Sequence, residues 1–138
     1  MNVVLDTSVL VAAFTKDAHS LQADAWLDRD APFLVSDWAA AEFSAAIRTK
    51  VRQGYLKVEL VPEVEAIFDS WTRDQGGKYP VQASDHVSAR LLVVRHDRLR
   101  APDALHLAIA LRLNAAIATF DRCLQQASLA EGMPAFAP

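Results

Sequence analysis

Cysteine is almost missing from this 138-residue chain, with Cys123 standing alone. No intrachain disulfide and no zinc site built on paired thiolates can form, and a reducing cytoplasm is the simplest setting. His19, His86 and His96 show no ligand spacing with one another, which also points away from zinc. The four glycines build neither a G-x-G-x-x-G nor a G-x-x-x-x-G-K-[ST] loop, so dinucleotide and P-loop nucleotide binding lack their phosphate cradle. No apolar run is long enough to span a bilayer, and the N-terminus has no charged leader followed by a long apolar stretch. A soluble, cytoplasmic domain is expected. Strong charge of one sign is absent too. A net charge of -3 with 22% charged residues excludes a surface that is basic overall, although a local basic rim can coexist with an acidic centre.

What the chain does hold is apolar material, at 52% of residues, enough for one domain with one core over residues 1–138. Val3-Val4-Leu5 is apolar without alternation, as in a strand covered on both faces. Phe33-Leu34-Val35 and Ala116-Ile117-Ala118-Thr119 read the same way, and Ala135-Phe136 is a possible last strand. Between them lie helical patterns. Ser8 opens a short helix through Phe14, and a second from His19 to Asp30 carries Leu21, Ala25 and Trp26. Ser36-Asp37 signals the start of a long helix, roughly Trp38 to Gln53, with Phe43, Ile47 and Val51 as its inner stripe and Gly54 as its stop. A helix over about Val58 to Asp74 places Val61, Val64, Ile67, Phe68 and Trp71 at helical spacing, with Pro62 in its first turn. Tyr79 to Gln82 reads as a short edge element, and Ser84 or Asp85 caps a helix to about His96. Another helix runs from Ala101 through Leu113 and closes at Asn114. The alternation predicts an α/β fold with a central parallel sheet and helices on both faces.

Four carboxylates stand out by position. Asp6 and Asp121 each follow a predicted parallel strand, so both project from the carboxyl edge, where open α/β sheets bind ligands. Asp103 lies in the first turn of an almost wholly apolar helix, and Glu42 sits about 100° round its helix from Phe43, at the border of the buried stripe. Each has a plain structural role open to it. Asp6 caps a helix, Asp103 complements a helix dipole, Asp121 starts a turn, and Glu42 is a solvated border residue. Gathered on one edge, several carboxylates cannot all ionise without compensation. Either their pKa values rise or a hard divalent cation binds, and oxygen-only ligands favour Mg²⁺ or Mn²⁺ over zinc.

Val3-Val4-Leu5-Asp6-Thr7-Ser8, Ala41-Glu42, Leu99-Arg100-Ala101-Pro102-Asp103-Ala104-Leu105-His106-Leu107-Ala108 and Ala118-Thr119-Phe120-Asp121 together resemble the PIN domain. More narrowly they resemble the toxin ribonucleases of VapBC toxin–antitoxin pairs. The ordered set spans nearly the whole chain, and Tyr79 to Gln82 agrees with it least. The resemblance implies a PIN-like three-layer α/β/α sandwich with a central parallel sheet of four to five strands. It implies Mg²⁺ as cofactor, with Mn²⁺ as a substitute, held mainly by Asp6 and Asp103. Glu42 and Asp121 would complete the ligand set, one of them orienting or deprotonating the attacking water. Ser8 and Thr119 would support the carboxylates as hydrogen-bond donors. The implied reaction is endonucleolytic cleavage of RNA to a 3′-hydroxyl and a 5′-phosphate. The implied partners are a cognate VapB-type antitoxin covering the acidic groove and a second copy in a homodimer.

Arg48, Lys50, Arg52, Arg98, Arg100 and Arg122 are candidates for steering phosphate, although solvated helix ends carry such residues anyway. His106, one turn after Asp103, reads as a hydrogen-bonded structural residue that is also within reach of the site. Trp26, Trp38 and Trp71 read as core or interface residues, and Cys123 is assigned no role. Two other functions compete. A phosphatase or phosphoacceptor using Asp6 usually needs a second acid two residues on, where this chain has Ser8. A non-catalytic interaction domain on the same fold would not need the acids at all.

Overall fold

Val3, Val4 and Leu5 form β1, the central strand of a five-stranded sheet in the computed structural model, which describes residues 1–138. On one side of it lie β2 (Phe33–Ser36) and then β3 (Lys78–Tyr79); on the other lie β4 (Ala116–Ala118) and then β5 (Ala135–Phe136). Every pairing is parallel. All residues of β1, β2 and β4 are buried, as unbroken apolar runs require. Alternate side chains serve opposite faces. Val3, Leu5, Phe33, Val35, Ala116 and Ala118 join one core, and Val4, Leu34 and Ile117 join the other.

The first core is covered by α1 (Thr7–Phe14), α2 (Ser20–Leu27), α3 (Asp37–Arg52) and α4 (Val61–Asp74). It is rich in aromatics: Phe43 stacks on Phe68 with ring centroids 4.1 Å apart, and Phe14 meets both edge-on. The second is covered by α5 (Ala83–Arg95), α6 (Ala101–Arg112) and α7 (Arg122–Ala130) and is built largely from Leu and Ala. The result is the three-layer α/β/α sandwich expected, with five strands. No helix is long and apolar enough to cross a membrane.

Strand order places the site. From β1 the chain moves outward to β2 and β3, then returns past β1 to β4 and moves the other way to β5. The connections leaving β1 and β4 therefore diverge onto opposite faces, opening a crevice between their carboxyl ends. Asp6 and Thr119 are the residues that follow those two strands.

Local signals hold at most boundaries. Ser36 Oγ accepts a hydrogen bond from the Ala39 N–H at 2.9 Å and caps α3. Gly54 (φ +80°) and Asn114 (φ 48°) take the left-handed conformation just after α3 and α6. Five details differ. In α2 the inner residues are Ala23 and Trp26, whereas Leu21 is 85% exposed and Ala25 is exposed as well. Packing of the Trp26 ring on Phe33 and Phe136 sets the rotation of that helix and turns Leu21 outward. Ile67 likewise faces solvent because its neighbour Phe68 takes the inward position against Phe43. Residues Val58–Leu60 form a separate 3-10 turn before α4, and the edge strand is Lys78–Tyr79 rather than Tyr79 to Gln82.

The fifth is the start of α5, whose cap is Gln82 and not Ser84 or Asp85. Asp85 instead closes a capping box, accepting from the Gln82 N–H at 2.9 Å. The same buried carboxylate receives Arg112 Nε at 2.7 Å and Nη2 at 2.9 Å, binding α5 to α6. Burial pushes the Asp85 carboxyl up, but Arg112 and the Gln82 N–H outweigh it and hold the pKa below the usual aspartate value. A depressed pKa stabilises the fold above the unfolded value of about 4, and that stability is lost as pH falls through the folded value. Asp85→Asn is expected to cost about 2–3 kcal/mol at neutral pH. Urea unfolding of both proteins from pH 7 to pH 2 should show the gap closing only below about pH 4.

Candidate active site

Asp6 ends β1, and its N–H continues the sheet ladder to the Ala118 carbonyl at 3.0 Å. It stands at the N-cap position of α1, yet its side chain makes no capping bond. The carboxylate is drawn sideways instead. Ser8 Oγ and Thr119 Oγ1 both donate to Asp6 Oδ2 at 2.7 Å. Each hydroxyl also accepts: Ser8 from the Phe120 N–H at 3.1 Å and Thr119 from the Asp121 N–H at 3.0 Å. These bonds tie the end of β1 to the loop after β4, while Asp6 is only 5% exposed. The helix-cap role open to Asp6 is thus not the one it plays, and Ser8 and Thr119 are its donors.

Asp121 does cap its helix, accepting from the Leu124 N–H at 2.9 Å through Oδ1. Glu42 is half-buried on the border of α3, where Thr7 Oγ1 donates to its Oε1 at 2.9 Å. His106 Nε2 bonds the same Oε1 and lies 3.3 Å from Asp6 Oδ1. Asp103 sits in the first turn of α6, paired with Arg100 Nε at 3.3 Å through Oδ2. No protein donor reaches Glu42 Oε2, Asp103 Oδ1 or Asp121 Oδ2, and Asp6 Oδ1 faces only His106.

The charges reveal the crowding. Burial raises the Asp103 pKa, and the carboxylates of Asp6 and Asp121 push it further, against the opposing pull of Arg100 and His106. Asp103 thus lies in the field of both strand-end acids. Glu42 goes the other way. Burial works to raise it, but the hydrogen bonds and charge of His106, together with Thr7, hold it below the ordinary glutamate value. Burial works against charging His106, yet the Glu42 bond and the charges of Asp6, Glu42 and Asp103 hold its pKa above the usual histidine range.

Asp6, Glu42 and His106 bring one ligand atom each to within 4.8 Å of one another, a spacing that a metal ion can bridge. The donor set fits a hard cation: Glu42, Asp103 and Asp121 each keep an oxygen that no hydroxyl or N–H reaches, and Asp6 Oδ1 meets only His106 Nε2. Two contributors escaped prominence in the sequence. Thr7 follows Asp6 directly and carries no local pattern of its own. His106 is one turn from Asp103, which gave its nearness, but its bond to Glu42 depends on how α3 packs against α6. Of the basic residues flagged, Arg100 pairs with a site acid, whereas Lys50 Nζ reaches the Lys16 carbonyl at 3.4 Å.

Such a crevice, with acids at the carboxyl ends of two parallel strands, belongs to a class of α/β hydrolytic folds. The sequence matches the PIN domain over residues 3–129, and the chain belongs to that family. The structure is similar to FitAcB from Neisseria gonorrhoeae, with TM-score 0.74 and 19% identity over 99% of this chain and 97% of that one. It is also similar to VapC20 from Mycobacterium tuberculosis, a sarcin–ricin loop cleaving toxin, with TM-score 0.72 and 18% identity over 99% of both chains. VapBC2 from Rickettsia felis, bound to a DNA fragment from its promoter, gives TM-score 0.71 and 16% identity over 99% of this chain and 98% of that one. At these identities the likeness is one of fold. Comparison with curated protein sequences finds no match.

Thr119→Val should remove a donor to Asp6 and leave the Asp121 N–H without its acceptor, costing about 1–3 kcal/mol as a shift of the denaturation midpoint. In carboxyl-carbon NMR titrations Asp103 should titrate above the ordinary aspartate value, and Asp121→Asn should bring it down.

Proposed function

We propose that this chain is a Mg²⁺-dependent endoribonuclease and the toxin of a type II toxin–antitoxin pair. The observation that carries the reading is that Asp6, Glu42 and His106 bring ligand atoms within 4.8 Å of one another, with Asp103 in the field of Asp6 and Asp121. Membership of the PIN family and the likeness to a sarcin–ricin loop cleaving toxin support it.

In this reading Asp6 and Asp103 are the principal ligands of the ion, and Mn²⁺ can replace Mg²⁺. The chemistry that the ion supplies when bound is neutralisation of the phosphodiester and activation of water for in-line attack. Ser8 and Thr119 occupy Asp6 Oδ2, so Oδ1 is the oxygen that would serve the ion. Glu42, kept ionised by His106 and Thr7, and Asp121, anchored by the Leu124 N–H, complete the set. Glu42 Oε2 and Asp121 Oδ2 are the atoms free to orient the attacking water and take its proton. Attack at phosphorus breaks the bond to the 3′-oxygen, giving a 3′-hydroxyl and a 5′-phosphate. Burial first, and then the charges of Asp6 and Asp121, raise the Asp103 pKa, and a divalent cation would relieve the charge repulsion. Arg100, on the rim beside Asp103, is the first candidate for meeting RNA phosphate, with Arg98 and Arg122 near the same edge.

A VapB-type antitoxin would silence the enzyme by laying an Arg or Lys among the carboxylates. Homodimerisation belongs to the same proposal. On α5, Val87, Leu91 and Val94 are 65%, 53% and 79% exposed at positions four and three residues apart, a single apolar stripe turned to solvent.

Purified protein free of antitoxin should cut structured RNA with Mg²⁺ or Mn²⁺ and lose that activity on chelation. Asp103→Asn should lower the rate by at least about a hundredfold. Cleavage that survives either change would sink the mechanism, and failure to cut any RNA would favour a binding module. In sedimentation runs Leu91→Glu should shift a dimer to monomer and leave the far-ultraviolet spectrum unaltered.

A further inference from the structure

We infer that His106 is a positioning residue for the metal site, a fixed hydrogen-bond donor that holds Glu42 and Asp6 in place and does not itself bind the ion. This deepens the metal-dependent reading above and rests on it. The two ring nitrogens have unequal surroundings. Nε2 contacts Glu42 Oε1, lies 3.3 Å from Asp6 Oδ1 and 3.4 Å from Thr7 Oγ1. Nδ1, on the other edge of a ring with no solvent exposure, has no hydrogen-bond partner.

Three proton placements are available to an imidazole. A proton on Nδ1 alone would strand a buried N–H without an acceptor and press the bare Nε2 lone pair against the Glu42 carboxylate. Both consequences are unfavourable, and that is the only form in which Nε2 could accept a metal. A proton on Nε2 alone is donated to Glu42 Oε1, with Asp6 Oδ1 beside it, and leaves at Nδ1 only a lone pair without a donor. The doubly protonated ring also leaves its Nδ1–H without an acceptor, but its charge faces the Glu42 and Asp6 carboxylates and it too donates from Nε2. Nε2 therefore carries hydrogen in both forms that meet those carboxylates as a donor. Metal-ligating histidines show the opposite pattern, donating their second ring N–H to a carboxylate, carbonyl or water that fixes the tautomer. His106 has no such group behind it.

The consequence for Glu42 is geometric. Thr7 and His106 both donate to Oε1, which pins the carboxylate and leaves Oε2 without a protein donor. Without His106 the long Glu42 side chain, on the border of α3, would keep one tether instead of two. Asp6 Oδ1 and Glu42 Oε1 would then face each other with no donor between them. His106 thus spaces the two carboxylates in the metal-free protein and leaves them preset for the ion.

Histidine-selective ¹⁵N NMR on the full chain tests the donor role directly. Nε2 should carry the proton without metal and keep it at saturating Mg²⁺. Calorimetric titration with Mg²⁺ in the absence of RNA tests positioning. His106→Leu should weaken Mg²⁺ binding by about 10–100-fold. His106→Gln, whose amide nitrogen lies close to the place of Nε2, should stay within a few-fold of the parent. Loss of the Nε2 proton on Mg²⁺ loading would make His106 a ligand and overturn the inference. So would Leu binding Mg²⁺ as well as the parent, or Gln binding as weakly as Leu. If the Leu variant does not fold, the NMR result and the Gln variant decide. Absence of Mg²⁺ binding to the parent protein would instead overturn the metal reading itself, a separate outcome seen without any RNA.

Discussion

The bond from Thr119 across the sheet to Asp6, doubled by Ser8, is the interaction on which the rest of the site depends. It joins the two strand ends at the point where the chain changes its direction of travel, so it spans the crevice that the topology opens. Two hydroxyls commit one oxygen of a buried carboxylate and leave the other facing only His106. The same hydroxyls accept the N–H groups of Phe120 and Asp121, which sets the loop carrying the next acid. The position of Asp121 is therefore a consequence of how Asp6 is held. The energy of these bonds comes from their burial, where an unpaired partner would be costly.

That arrangement concentrates negative charge, and the protein tolerates it unevenly. Glu42 receives a hydroxyl and an imidazole and stays ionised; Asp103 receives an exposed arginine and is pushed toward its neutral form by burial and by the charges of Asp6 and Asp121. Two carboxylates of similar chemistry are driven apart by their surroundings, a pattern that marks functional sites more often than surfaces. The residual repulsion makes the site receptive to a cation. His106 lies at the hinge of this balance because it touches the members of two layers, α3 and the end of β1, from a third element, α6.

The two helical layers contribute differently. The aromatic layer of α1 to α4 fixes rotation through large rings, as Trp26 and Phe68 show, and so decides where Glu42 points. The Leu and Ala layer of α5 to α7 allows close approach and buries seven consecutive residues of α6, Ala104 to Ala110. Burial on that scale is what makes His106 inaccessible and its tautomer consequential. The Asp85–Arg112 pair locks α5 to α6 well away from the acids, so the scaffold under Asp103 has an electrostatic anchor of its own.

Much of this was legible in the residues alone. Unbroken apolar runs at Val3–Leu5 and Phe33–Val35, separated by helical periodicity, determine a parallel sheet covered on both faces, because burial on two sides demands them. An acid placed right after such a strand must emerge at its carboxyl edge, so the location of Asp6 and Asp121 follows from local pattern. Helix rotation did not follow: Leu21 and Ile67 sit at plausible spacing, and only competition with Trp26 and Phe68 for the core turned them out. The pairing of atoms lay further still from the sequence. Asp6 with Thr119 and Glu42 with His106 are far apart along the chain, and no periodicity encodes which oxygen meets which donor. Sequence determined the fold and the edge on which the acids gather, because those depend on near-neighbour pattern and burial. The tertiary structure decided how each carboxylate is held and which oxygen is left free, because hydrogen bonds are directional and form only once the layers have packed.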